Sequence, residues 1–348
     1  MLNDAPLAGF WYVAGASGAF PKRELVPATL LGKSVVLGRG DDGVVFALRD
    51  FCPHRGVPLR YGAFDGREIE CCYHGWCFNT RGVCTRILSF TDDNATDISR
   101  IKVTGYPVRE VAGVIWIYLP VDDKRLPDPL PDLPELPVVP GGSFFHVDSI
   151  AFPCNIDQAA IGLMDPAHGP FVHRSWWWRT RRSVHEKSKT FRSHGLGFKM
   201  VSHKPSTNSR AYKILGGQPR TEIAFQLPGR RTEHIQFGAN YVLLLTALTP
   251  TGDDATMLHQ FVYSSRSLLT RLWPLLKPFG RAFLRQDLEI VRKQREGLEG
   301  DHPPLMLMGD ADQQAVWYYK LKRDYRLAQS EGRPFVNSVP EKVLRWRS

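Results

Sequence analysis

Apolar and polar positions alternate differently in the two parts of this chain. From residue 10 to about 120, short apolar and β-branched runs end at Gly, Asp or Pro. Ser34-Val35-Val36-Leu37, Val44-Val45-Phe46-Ala47-Leu48 and Val114-Ile115-Trp116-Ile117-Tyr118-Leu119 are of this kind and predict β-strands. Leu126 to Gly142 then carries Pro127, Pro129, Pro131, Pro134, Pro137 and Pro140. Repeated proline sustains neither a helix nor an interior strand. An extended linker is therefore predicted over 126–142, between a domain at 1–125 and one at 143–348. Past the linker, helical spacing appears near 156–168 and 281–297, while Tyr241-Val242-Leu243-Leu244-Leu245 predicts a strand of a larger sheet. The expected class is α+β.

Composition narrows this picture. Over 348 residues, 43% hydrophobic and 23% charged positions fit a globular protein with a core of normal size and argue against disorder. Six cysteines spread over this length do not form a disulfide framework and are compatible with a reducing cytoplasm. Met-Leu-Asn-Asp-Ala-Pro at the start predicts no secretory signal. No stretch approaches the roughly 20 apolar residues of a membrane span. The formal charge of +10 admits several readings. No nucleic-acid motif accompanies the scattered Lys and Arg, so nucleic acid is not expected as a partner. Steering of an acidic electron-transfer protein, contact with a membrane surface, and a merely solvated basic surface stay open.

Gly38-Arg39-Gly40-Asp41-Asp42-Gly43 matches the dinucleotide fingerprint in letters only. The fingerprint needs a helix opening at its end, whereas Val44-Val45-Phe46-Ala47-Leu48 reads as a strand and Asp-Gly as its hairpin turn.

The sharpest local signal is Cys52-Pro53-His54-Arg55-Gly56 followed by Cys71-Cys72-Tyr73-His74-Gly75-Trp76. Each half offers one thiolate and one imidazole from a tight loop. Zinc accepts such a ligand set, but zinc fingers usually pair two cysteines in one half and two histidines in the other. Mixing Cys and His within each half suits a Rieske [2Fe–2S] cluster, with Cys52 and Cys71 on one iron and His54 and His74 on the other. The C-x-x-H spacing favours Cys71 over Cys72. Cys77 and Cys84 lack ligand spacing and are expected as buried small hydrophobes.

These two loops resemble the cluster loops of Rieske non-haem iron oxygenase alpha subunits, as do Trp11-Tyr12-Val13 and Tyr106-Pro107-Val108. Cys72 stands where many relatives have proline. The resemblance implies an all-β Rieske domain followed by a catalytic domain of the helix-grip type, an antiparallel sheet with helices.

A second candidate site lies in Met164-Asp165-Pro166-Ala167-His168-Gly169-Pro170-Phe171-Val172-His173. Histidines five apart diverge by about 140° on an unbroken helix. A break at Gly169-Pro170 is expected to let both turn to one point. Two imidazoles and one carboxylate form the facial triad of non-haem iron oxygenases. Asp287 is the expected third ligand. Helical spacing sets it among Phe283, Leu284, Ile290 and Val291, where an unpaired carboxylate would be costly, and puts Glu289 on the wet face. Pairing with a buried Arg is the competing explanation. A Gln-Asp pair in a late helix also resembles the position of the family's iron carboxylate. Asp165, one turn before His168, is placed to hydrogen-bond its imidazole and set the tautomer. The resemblance further implies that Asp165 bridges to the cluster histidine of a neighbouring subunit, with His74 as the partner. Ile161-Gly162-Leu163-Met164 departs from the more polar run of many relatives and implies drier surroundings.

By that resemblance the chain is an oxygenase that forms a homotrimer, with a [2Fe–2S] cluster and mononuclear Fe(II) as cofactors. Electrons would come from an NAD(P)H-dependent reductase or a ferredoxin. Dioxygen and a small hydrophobic molecule would be the substrates, and the chain looks closer to the monooxygenase and O-demethylase branch. A Rieske electron carrier without oxygenase chemistry, or a zinc-stabilised binding protein, are the alternatives. Leu268 to Phe279 is either a hydrophobic lip, admitting a bulky substrate or touching a membrane, or core packing with Pro274 and Pro278 shaping a loop. Trp176-Trp177-Trp178, with Arg174, Arg179, Arg181 and Arg182, is a candidate donor-docking or route-lining cluster or simply a surface patch.

Overall fold

The computed structural model describes residues 5–136, 144–173, 184–204 and 218–348. The tryptophan-arginine cluster and the end of the proline-rich stretch lie outside them. The described chain gathers into two units, one of Ala8–Glu135 with Thr249–Gly252, the other of Leu136–Leu248 and Asp253–Ser348 with residues from the start of the chain.

The first unit is all β. Three small sheets carry it, and the predicted runs fall in strands Lys33–Arg39, Val45–Arg49 and Val114–Leu119. Arg39 pairs with Val45 across the Gly40–Val44 turn, so the glycine pattern there is a hairpin and no nucleotide loop. A four-stranded sheet of Ala63–Phe64, Glu68–Glu70, Trp76–Asn79 and Cys84–Ile87 presents Cys71 to Gly75 as the connection between its second and third strands. The core under it joins Val36, Leu48, Leu59, Ile69 and Phe78 to Cys52, Cys71 and Cys84.

The second unit is an eight-stranded antiparallel sheet with helices. Its strand order is His146–Phe152, Ala255–Ser264, Asn240–Gly252, Arg230–Phe237, Arg220–Gln226, Gly197–His203, Glu186–His194 and Lys342–Arg347. Helix α1 (Ile156–Met164) opens on Asn155, whose side chain accepts from the Gln158 N–H. The four-residue α2 is Gly169–Val172, α3 is Ser267–Leu298 and α4 is Gln313–Ser330. Beneath α1, Asp157 is buried, and accepts from Lys322 Nζ at 2.6 and 2.7 Å and from the Tyr318 hydroxyl at 2.6 Å. This buried ion pair ties α1 to α4.

Two expectations are corrected. Leu268 to Phe279 is neither loop nor core but the first third of α3, with Pro274 and Pro278 inside the helix. Each proline deprives one carbonyl, four residues back, of its N–H partner, which is tolerated where that carbonyl can reach water. Pro274 and Pro278 are both exposed. The helix break between the paired histidines also lies earlier than expected. α1 ends at Met164, and Asp165 is extended at φ −58°, ψ 118° before Pro166. Gly169-Pro170 instead starts α2, because a proline in a first helical turn forfeits only an N–H that has no partner there.

Candidate metal centres

The two loops of the first unit are built alike. Gly56 N–H donates to the Cys52 carbonyl at 2.9 Å, and Gly75 N–H to that of Cys71 at 3.1 Å. Cys52 N–H donates to Val57 at 2.9 Å, and Cys71 N–H to Trp76 at 2.8 Å. Both glycines turn the chain at positive φ, 76° and 63°. A side chain at Gly75 would in addition meet Leu88 Cβ at 2.7 Å. Each loop thus holds its cysteine inward and its histidine three or fewer residues on.

Cys52 and Cys71 are both buried, whereas Cys72 is exposed. Burial first, and then the neighbouring Cys71 thiol, push Cys52 up to about 11. The His54 and His74 rings stand 4.6 Å apart, and His54 stacks on Trp76 at 4.7 Å with 8° between planes. His74 Nδ1 is buried with no hydrogen-bond partner among the described residues. An unpaired buried imidazole nitrogen is costly, and a metal bond removes the cost. These residues therefore fit a cluster. Cys77 and Cys84 are buried, as expected of small hydrophobes.

In the second unit, α2 and α3 bring three groups to one point. Phe171 and Val172 N–H groups donate to the His168 carbonyl and His173 N–H donates to that of Gly169, so the turn is closed at both ends. His168 Nε2 and His173 Nε2 lie 3.1 Å apart. Asp287 Oδ1 stands 3.2 Å from His173 Nε2 and 3.9 Å from His168 Nε2. His168, His173 and Asp287 offer one ligand atom each, all within 4.8 Å of one another.

The opposite ring nitrogens decide what these atoms can do. His168 Nδ1 is 2.8 Å from the Asp165 carbonyl, and His173 Nδ1 is 3.2 Å from Gln286 Oε1. Both oxygens only accept, so each Nδ1 carries the proton and each Nε2 turns a lone pair to the centre. Two lone pairs and a carboxylate facing one another repel unless a cation sits among them. Desolvation holds His168 below the usual imidazole range, with the Asp165 and Asp287 carboxylates opposing it, and this favours the neutral, ligating form. The residues therefore fit a divalent metal, and N₂O ligation with open positions suits ferrous iron.

The tautomer of His168 is set by the backbone carbonyl of Asp165 and not, as expected, by its carboxylate. Asp165 Oδ1 instead accepts from the Ala167 N–H at 2.7 Å, and Oδ2 is 3.7 Å from His168 Nδ1. Residue 165 is extended ahead of a proline, which turns its carbonyl to the imidazole and its side chain to the loop. Gln286 and Phe283 escaped the sequence reading as partners of His173. Phe283 stacks on the imidazole at 3.4 Å and 14°. Their positions at −1 and −4 from Asp287 on an amphipathic helix were the available signal.

The three groups line a cavity of about 770 Å³. Its lining includes the apolar Leu163, Met164, Leu258, Phe283 and Ile290 and also the polar Gln158, Lys189, Arg231 and Glu233.

Residues 10–96 match the Rieske [2Fe-2S] domain. Chlorophyllide a oxygenase of Chlamydomonas reinhardtii is 36% identical over 171 residues, 49% of this chain and 25% of that protein. The 4beta-methylsterol monooxygenase of Methylococcus capsulatus is 35% identical over 168 residues, 47% of this chain and 44% of that one. The chain thus spans a quarter to under half the length of these curated relatives. The crystal structure of dicamba monooxygenase bound to dicamba superposes with a TM-score of 0.69 at 23% identity, covering 94% of this chain and 99% of the other, which shows a shared fold. Residues 10–96 are thus similar to a Rieske [2Fe-2S] domain, and the relatives and structural neighbours of the chain include Rieske oxygenases such as 4beta-methylsterol monooxygenase and dicamba monooxygenase.

Proposed function

We propose that this chain is a Rieske-type oxygenase that uses dioxygen to hydroxylate or oxidatively demethylate a hydrophobic small molecule. The observation that carries the reading is the convergence of His168 Nε2, His173 Nε2 and Asp287 Oδ1 on the wall of the 770 Å³ cavity. Such a trio beside a space that admits an organic molecule has no use in a pure electron carrier.

Cys52, Cys71, His54 and His74 hold the [2Fe–2S] cluster, and His168, His173 and Asp287 hold Fe(II). When bound, the cluster supplies single electrons, and the iron supplies the open positions at which dioxygen is activated. The protein's own work is positioning and exclusion. The Asp165 carbonyl and Gln286 fix both imidazoles in the ligating tautomer, Phe283 shields His173, and Met164, Leu258 and Ile290 keep water sparse around a substrate carbon. Electrons come from a ferredoxin or an NAD(P)H-dependent reductase. The functional division follows 1–125, 126–142 and 143–348. The working form is a homotrimer, in which the Asp165 carboxylate bridges to a cluster histidine of the neighbouring subunit.

Metal analysis with reduced-state electron paramagnetic resonance tests the reading. Anaerobically purified protein should hold about three irons per chain and show a Rieske signal, and His168→Ala should keep the signal with about two. Two irons in both proteins would establish the electron carrier instead, and a colourless zinc protein would remove both readings.

A further inference from the structure

The first third of α3 carries a run of solvent-exposed apolar side chains. Leu268, Leu272, Leu275, Leu276 and Phe279 are all exposed, Leu275 to 70%. At 3.6 residues per turn these five fall within an arc of about 100°, a continuous stripe and not scattered surface leucines. Leu276 and Phe279 also line the cavity, so the stripe runs into the rim of the proposed active site. Trp273 holds this part of the helix to the body, its ring edge-on to Phe145 at 5.1 Å.

Charge completes the pattern. From Ser267 to Gln286 the helix carries Arg271, Lys277, Arg281 and Arg285 and no acidic residue. These four occupy an arc of about 120° on the far side, with Arg271 about 40° from the stripe's edge and the other three about 80° or more away. Arg281 is tied to Asp148 at 2.9 Å. The formal charge of the whole chain is +10. An apolar stripe backed by a cationic opposite face suits the boundary of an anionic bilayer, where the leucines enter the acyl region and Arg271, at the stripe's border, reaches lipid phosphates. No described helix is long and apolar enough to cross a membrane, so such contact is peripheral.

We propose that the exposed stripe of α3 seats the protein on an anionic lipid surface, with the cavity rim against the bilayer, so that a lipophilic substrate passes from membrane to cavity without crossing water. The lipid contact stands independently of the oxygenase reading. Only the purpose given to it rests on that reading.

Iron-loaded full-length protein is sedimented with vesicles of phosphatidylcholine alone and with vesicles of equal parts phosphatidylcholine and phosphatidylglycerol. The wild type should pellet with the anionic vesicles and release as salt rises. Leu272→Glu with Leu275→Glu, at exposed positions outside the cavity lining, should lower partition by at least about tenfold while keeping the Rieske signal and the melting temperature. Arg271→Gln should lower it by roughly fivefold. Wild-type protein that stays in solution with both vesicles, or a double glutamate variant that binds like wild type, overturns the proposal. So does a double glutamate variant whose sedimentation coefficient falls without vesicles, since the stripe would then be an interface between copies of the chain. Absence of oxygenase activity in a protein that binds vesicles would sink the proposed function and leave the lipid contact standing.

Discussion

His173 Nδ1 donates to Gln286 Oε1 at 3.2 Å, while its Nε2 lies 3.2 Å from the next residue of the same helix, Asp287 Oδ1. One turn of α3 therefore both aims the imidazole and supplies the neighbouring candidate ligand. Gln286→Leu removes the acceptor and lets the ring adopt either tautomer. Iron affinity should fall by about 10- to 100-fold, with the Rieske signal unchanged. Iron titration of metal-free protein reads this directly, and an affinity within twofold of wild type would refute the positioning role.

Cys71 is buried beside Cys52, and Cys72 is exposed. Cys71→Ser should abolish the cluster and its visible absorption, whereas Cys72→Ser should keep both. The reverse result would mean that the adjacent thiol replaces Cys71 as ligand.

The Asp157–Lys322 pair is almost fully buried, with side-chain exposures of 6% and 2%. Lys322→Met leaves a buried carboxylate with the Tyr318 hydroxyl as its remaining side-chain donor among the described residues and should cost roughly 3–5 kcal/mol of stability. Asp157→Leu added to Lys322→Met should recover much of that loss, because the uncompensated charge is gone. Denaturant unfolding of the single and double variants decides it: equal losses in both would exclude the charge explanation.

His259 is buried, its Nδ1 2.8 Å from Ser149 Oγ, and burial lowers it from 6.5 to about 4. Its native pKa lies below the unfolded one, so the unfolded chain binds the extra proton between these values. Stability from this group is complete above pH 6.5 and declines as pH falls towards about 4. The full loss is about 3 kcal/mol. His259→Gln, which can still bond Ser149, should flatten the acid side of the stability profile of the second unit. A profile as steep as that of wild type would locate the acid sensitivity elsewhere.

The C-x-H and C-x-x-H spacings were enough to identify the cluster loops, because both ligands of each half belong to one tight turn whose geometry is local. The two classes of architecture were legible for a similar reason: strand alternation, the proline-rich stretch and the apolar environment of Asp287 are all periodic or compositional signals. What the sequence by itself determined was thus the set of candidate ligating residue types and the elements that carry them. Tertiary structure decided how they meet. That Asp287 lies within 3.2 Å of a histidine 114 positions earlier depends on α3 packing against α2, which no local pattern encodes. It also decided that the backbone carbonyl of Asp165 orients His168, since that follows from the extended dihedrals before Pro166. Pro274 and Pro278 argued locally for a loop. The helix nonetheless continues through them, and the carbonyls they leave unpaired belong to the half-buried Thr270 and the exposed Pro274.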